Sequence, residues 1–149
     1  MRIVIYGTGG AGGYFGAQLA LSGEQVILVA RGEHLKALRV NGLRLETPNG
    51  DTVIRSVEAT DDPAAATGAD VVLLGVKAWQ VPDAARALRP FVGGGTFVVP
   101  MQNGVDAASQ LSAVLGTDHV LAGLCGTLSM VAGPGHIRSA GGAQFYQVR

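Results

Sequence analysis

The chain has 149 residues, 48% hydrophobic and 15% charged, which is the size of one ordinary domain with ample apolar material for a buried core. Eleven basic residues balance eleven acidic ones, so neither an extended basic surface for nucleic acid nor a polybasic membrane footprint is expected. No stretch reaches the roughly 18 uninterrupted apolar residues of a membrane helix, and the N-terminus enters an apolar strand instead of a signal sequence; the chain reads as cytoplasmic, with a small molecule as its partner.

The first predicted strand, Ile3 to Tyr6, runs straight into Gly7-Thr8-Gly9-Gly10-Ala11-Gly12, and a helix is expected over Gly10 to Ser22. This is Gly-x-Gly-x-x-Gly between a strand and a helix, the context in which the spacing carries meaning. Gly7 permits the tight turn, Gly9 lets backbone approach a pyrophosphate with no Cβ in the way, and Gly12 lets the helix pack closely on the strand; Gly16 adds a further close-packing position. The anion would sit at the helix N-terminus, where unpaired N–H groups and the helix dipole favour it. Within that helix Ala11, Phe15, Gln18, Leu19 and Ser22 follow helical spacing, with the apolar members expected to face the sheet and Gly23 to stop the helix.

Further apolar runs predict strands at Gln25 to Ala30, Val71 to Val76, Thr96 to Pro100 and His119 to Leu124. Helices are predicted between them at Glu33 to Val40, Val81 to Leu88 and Val105 to Leu115. Gly42 to Val57 breaks the alternation and reads as a hairpin around Pro48-Asn49-Gly50-Asp51, inserted in a crossover. Asp61-Asp62-Pro63 starts a short helical turn with an aspartate cap. The Gly-rich tail, Ser129 to Arg149, reads as an antiparallel meander at the sheet edge. The fold class is therefore α/β: a Rossmann-type, doubly wound, mainly parallel sheet with helices on both faces and an antiparallel strand extension at the C-terminal end.

Where an acidic residue would receive the ribose of NAD, the strand Gln25 to Ala30 ends in Arg31. A guanidinium at that tip can fork two N–H bonds onto a 2′-phosphate that a carboxylate would repel, so NADPH/NADP is the expected coenzyme. His34 and Lys36, just beyond, read as solvated helix residues. Lys77 emerges after the buried strand, at the edge where open α/β sheets bind ligands, and either meets a phosphate or carboxylate or caps the strand at the surface. Trp79 and Gln80 follow it. Asn103 stands at the matching place after Thr96 to Pro100; its amide suits a carboxamide or hydroxyl, and Asn-Gly equally suits a turn or helix cap. The only cysteine, Cys125, excludes an intramolecular disulfide and reads as a small core residue beside Leu121, Ala122 and Leu124. His119 and His136 lie away from the ligand edge, and no His, Cys or carboxylate grouping has metal-ligand spacing.

The glycine turn, Arg31 with Gly32-Glu33-His34-Leu35, Gly42-Leu-Arg-Leu, Val76-Lys77-Ala78-Trp79-Gln80 and Gln102-Asn103-Gly104 occur in an order and spacing that resembles the ketopantoate reductase (2-dehydropantoate 2-reductase) family. The resemblance covers essentially this whole chain and only the N-terminal half of that family. It implies NADPH-dependent reduction of 2-dehydropantoate to pantoate, a step of pantothenate and coenzyme A biosynthesis. It also implies a cofactor-binding set of Gly7, Thr8, Gly9, Gly10, Ala11, Gly12, Arg31, Lys77, Gln80 and Asn103, with Asn103 also near the substrate. No catalytic residue or metal is expected in this chain, because the family's general-acid lysine lies on a helical second domain without a counterpart here. Residues 1–149 are thus expected to be an NADP(H)-binding domain, nearly inactive alone and prone to self-associate through the surface that the helical domain covers. The alternatives are a stand-alone NADP(H)-binding sensor or subunit, and a related 2-keto acid reductase of the same two-domain plan.

Overall fold

The computed structural model describes residues 1–149. In chain order its elements are β1 (Arg2–Tyr6), α1 (Gly10–Leu21), β2 (Gln25–Val29), α2 (Gly32–Asn41), β3 (Leu43–Thr47), β4 (Gly50–Ile54), β5 (Val57–Thr60), β6 (Val71–Leu74), α3 (Val81–Leu88), β7 (Phe97–Pro100), α4 (Ala107–Leu115), β8 (Gly123–Gly126), β9 (Ser129–Gly133), β10 (His136–Ser139) and β11 (Phe145–Val148). Short 3₁₀ turns at Pro63–Ala66, Ala78–Gln80 and Thr117–His119 join them. Asp62 caps the first of these as its carboxylate accepts from the Ala64 amide at 2.8 Å, with Pro63 behind it, as the sequence predicts.

The main sheet has the order β5-β2-β1-β6-β7 with every pairing parallel. Successive side chains of a strand point to opposite faces, and both faces here are covered. Ile3, Ile5, Val26 and Leu28 enter one core with residues of α1 and α2, while Val4, Ile27, Val29, Val72 and Leu74 enter a second core with α3 and α4. This is the doubly wound arrangement expected, with β1 central. β5 completes it, although Val57 to Thr60 has only one strongly apolar residue to announce a strand. No helix is long and apolar enough to cross a membrane.

The hairpin β3–β4 forms around Pro48-Asn49, with Thr47 paired to Gly50. Of the tail strands only β9 and β10 pair antiparallel as sequence neighbours, so the predicted meander does not form, and none of them borders the parallel sheet. β10 pairs antiparallel with β9 and parallel with β3, giving a second sheet ordered β4-β3-β10-β9, while β11 pairs with β8 in a two-stranded ribbon. Of the predicted strand His119 to Leu124, only the Val98 to Val120 bridge joins the main sheet, and Gly123 and Leu124 begin β8 instead. Ala122 exchanges both backbone hydrogen bonds with Arg149, at 3.1 and 2.9 Å, which draws the chain off the main sheet into the ribbon.

The second sheet packs on the outer side of α1, so this helix is squeezed between two sheets. That changes which residues it buries. Ala11, Phe15 and Leu19 pack partly buried against the core as expected, but the most buried positions are Gly12, Gly13, Gly16, Ala17 and Ala20, which the spacing does not single out. A side chain on Gly12 would collide with the Gly7 carbonyl, and one on Gly13 would strike Ile137 of β10. Only a helix without bulk on two faces fits the gap.

An ionic ladder joins the strands of the second sheet. Arg138 Nε donates to Glu46 at 3.2 Å and His136 Nε2 bonds the other oxygen at 2.8 Å, tying β10 to β3. Arg44 pairs with Asp51 across the hairpin. The Arg138 bond, helped by His136, holds the Glu46 carboxyl below its ordinary range. The stability it contributes is therefore complete above that range and drains away as pH falls below about 4. Melting temperature recorded against pH should drop over this acid limb, and Glu46→Gln should flatten the limb while lowering the neutral-pH value.

Candidate functional site

Parallel pairing brings the C-terminal ends of β1, β2, β6 and β7 to one edge. The glycine turn, Arg31, Lys77 and Asn103 follow those four ends in turn, and the chain changes direction about β1. This is the switch point at which open α/β sheets bind ligands.

The turn is held from both sides. Gly7 has φ +102°, and its missing Cβ leaves room for the Gly75–Val76 backbone at the end of β6. The amides of Gly7 and Thr8 both donate to the Val29 carbonyl, at 3.2 and 3.1 Å, and the Thr8 hydroxyl joins them at 3.1 Å. Thr8 is 4% exposed, so its side chain is turned toward β2. By contrast, Gly9 has no atom within 4 Å of where a Cβ would stand, and its N–H has no acceptor in the chain. A Cβ on Gly10 would meet the Ser129 backbone, so this glycine serves the approach of β9. The first turn of α1 carries no acidic residue and no side-chain cap, leaving its amides available to an anion.

Arg31 is the N-cap of α2, exposed, and without a side-chain cap bond. Burial pushes the Tyr6 phenol up, and the Arg31 charge nearby pulls it partly back. No carboxylate pairs with the guanidinium, which stands free at the tip of β2. Lys77 is likewise exposed at the tip of β6, and the Gln80 side-chain oxygen accepts from the Lys77 amide at 3.0 Å. The part of Gln80 that the sequence offers to a cofactor is thus partly committed to the 3₁₀ turn carrying Trp79, which is 77% exposed. Asn103 is exposed on the loop before α4, which starts at Ala107 instead of Val105.

Two residues matter here that sequence reasoning passed over. Gln102 Nε2 donates to the carbonyls of Leu74 and Val76, both at 2.8 Å, so the end of β7 clamps the end of β6 next to Gly7. Its Oε1 is buried without a partner. A glutamine following Val-Val-Pro-Met was a detectable signal, since an amide directly after a buried strand needs partners. His34 is not solvated. Its Nε2 lies 2.7 Å from the Thr8 carbonyl, and its Nδ1 accepts from the Gly135 amide at 2.8 Å. Lys36 is exposed, paired with Glu33 at 2.7 Å. Cys125 is half-buried with Sγ 3.3 Å from the Met101 carbonyl, and burial pushes its thiol up. His119 bonds the Thr96 carbonyl at the opposite edge of the sheet, and His136 belongs to the Glu46 ladder.

The family model described as ketopantoate reductase PanE/ApbA matches residues 3–147. The chain belongs to the ketopantoate reductase family. The 2-dehydropantoate 2-reductase of Halobacterium salinarum is 34% identical over 145 residues, 97% of this chain and 48% of that protein. The crystal structure of a PanE/ApbA family ketopantoate reductase from Ralstonia eutropha superposes with a TM-score of 0.90 at 40% identity, over 95% of this chain and 47% of that one. The 2-dehydropantoate 2-reductase of Geobacter metallireducens gives 0.91 at 30% identity, over all of this chain and 49% of that one. This chain therefore spans about half the length of such relatives.

The clamp on β6 has a measurable value. Gln102→Ala removes two partly buried hydrogen bonds and leaves the Val76 carbonyl unpaired, which should cost about 1–3 kcal/mol in urea unfolding.

Proposed function

We propose that residues 1–149 are the NADP(H)-binding half of a 2-dehydropantoate 2-reductase. The reading rests on membership of the ketopantoate reductase family and, for the coenzyme, on one observation: an unpaired guanidinium, Arg31, at the tip of β2 where a NAD site would carry a carboxylate. The residues present fit the coenzyme. The open face and free amide of Gly9 and the uncapped start of α1 suit a pyrophosphate, and Arg31 suits a 2′-phosphate. Lys77 and Asn103 flank the same edge from β6 and β7; the lysine adds positive charge beside phosphate, and the asparagine amide orients the nicotinamide and the substrate hydroxyl.

The bound coenzyme supplies hydride to the ketone of 2-dehydropantoate. The developing alkoxide needs a proton, and neither Lys77 nor any histidine of this chain is positioned to give it while serving these other roles. A lysine on a helical second domain supplies that proton in this reading, so residues 1–149 bind coenzyme and turn over negligibly alone. Pantoate formation by a full-length protein, set against other 2-keto acids, tests the substrate.

The exposed apolar residues Leu124, Leu128, Met130, Phe145 and Val148 gather on β8, β9, β11 and the segment between them, and suit the second domain. Alone, this chain should self-associate in sedimentation at high concentration, and a strictly monomeric profile would count against that assignment.

Arg31→Ala should weaken NADPH binding by about 1.5–3 kcal/mol, the scale of a charge-assisted bond, and leave NADH binding nearly constant. Fluorescence titrations with both coenzymes measure it; equal losses would refute the role given to Arg31.

A further inference from the structure

His34 touches three separate pieces of the molecule. It stands on the first turn of α2, three residues after Arg31. Its Nε2 lies 2.7 Å from the Thr8 carbonyl in the glycine turn, and its Nδ1 accepts from the amide of Gly135, in the turn between β9 and β10. A backbone amide can only donate and a carbonyl can only accept, so the two partners dictate a neutral ring with its proton on Nε2. Gly135 is fixed in turn, with its carbonyl accepting from the Arg44 amide at 2.9 Å and φ +68°.

The consequence lies in the peptide plane. In a planar trans peptide the C=O and the following N–H point in opposite directions. Holding the Thr8 oxygen from the His34 side therefore aims the Gly9 N–H the other way. That N–H is the amide with no acceptor in the chain, on a residue whose side-chain direction is open to 4 Å. The Gly7 and Thr8 amides and the Thr8 hydroxyl are already spent on Val29. Of the two torsions that turn the Thr8–Gly9 plane, ψ of Thr8 and φ of Gly9, the second belongs to a residue without a Cβ, so the plane gains from an external hold that keeps one orientation.

We infer that His34 is a positioning residue of the coenzyme cleft: through its Nε2–H bond to the Thr8 carbonyl it sets the Thr8–Gly9 peptide so that the Gly9 N–H faces the pyrophosphate. Its Nδ1 bond to Gly135 keeps the ring itself from turning. Because α2 also carries Arg31, the same bond fixes the spacing between the amide for the pyrophosphate and the guanidinium for the 2′-phosphate. The inference rests on the coenzyme assignment above and deepens it.

Two variants separate the arms of the ring. In His34→Gln the longer amide can still donate to Thr8; in His34→Asn the shorter side chain places an oxygen near the Nδ1 position, keeps the bond to Gly135 and loses the one to Thr8. Titrating NADPH by fluorescence, with melting curves alongside, His34→Asn should bind about fivefold more weakly and His34→Gln within about twofold of the unaltered chain, on the scale of one neutral hydrogen bond. Long-range ¹H–¹⁵N spectra of the unaltered chain should show the His34 ring neutral and protonated on Nε2. Undiminished binding by His34→Asn overturns the inference, as do equal losses in both variants that track their melting temperatures, or a proton on Nδ1. An unaltered chain that binds no NADPH overturns the coenzyme assignment itself, whereas the ring spectrum reads His34 independently of it.

Discussion

The whole ligand edge depends on backbone passing where a side chain could not. The turn after β1 threads between the last carbonyl of β2 and the Gly75–Val76 backbone after β6, and it does so because Gly7 presents no Cβ to the Gly75–Val76 backbone and Gly12 presents none to the Gly7 carbonyl. Once that contact is made, the tips of three parallel strands are fixed relative to one another. Gln102 extends the same logic to a fourth, by binding two carbonyls at the end of β6. The candidate residues need no long loops to meet; they are gathered by strand pairing and close packing.

The helix after the turn meets a second demand of the same kind. Having a sheet on both sides, α1 contributes little side-chain bulk to the cores and much to their proximity. Close approach of three layers brings β9 against the start of the helix, at Gly10, and places the turn at Gly135 within reach of α2. The electrostatics are sparse by comparison. Most charged pairs are exposed, and surface pairs of this kind add little stability. At the ligand edge, neither Arg31 nor Lys77 is drawn into such a pair, which leaves both charges open to a ligand.

Much of this was legible in the residues because it is local. The glycine spacing, the apolar runs, the Pro48-Asn49 turn, the Asp62 cap and the placement of Arg31, Lys77 and Asn103 all follow from short-range rules, and the parallel sheet follows from their alternation. What escaped depends on pairings made far along the chain. β5 has too little apolar character to be seen without its partner β2. The strand at His119 was lost to competition from Arg149, and the tail built its own sheet because β10 found β3. His34 looked like one more polar residue on an exposed helix, since its partners are 26 and 101 residues away.

The parallel union of β10 with β3 also sets an order of events during synthesis. Residues 43–54 leave the ribosome as a hairpin whose inner edge, Leu43 to Thr47, has no neighbour until residue 136 has been made. At a translation rate of roughly 5–20 residues per second, that edge waits several seconds with its amides and carbonyls unpaired. The nascent chain thus carries an unpaired strand edge, a template for pairing with another chain, throughout that interval. The first half of the sequence cannot close its outer layer until nearly all of the rest has emerged.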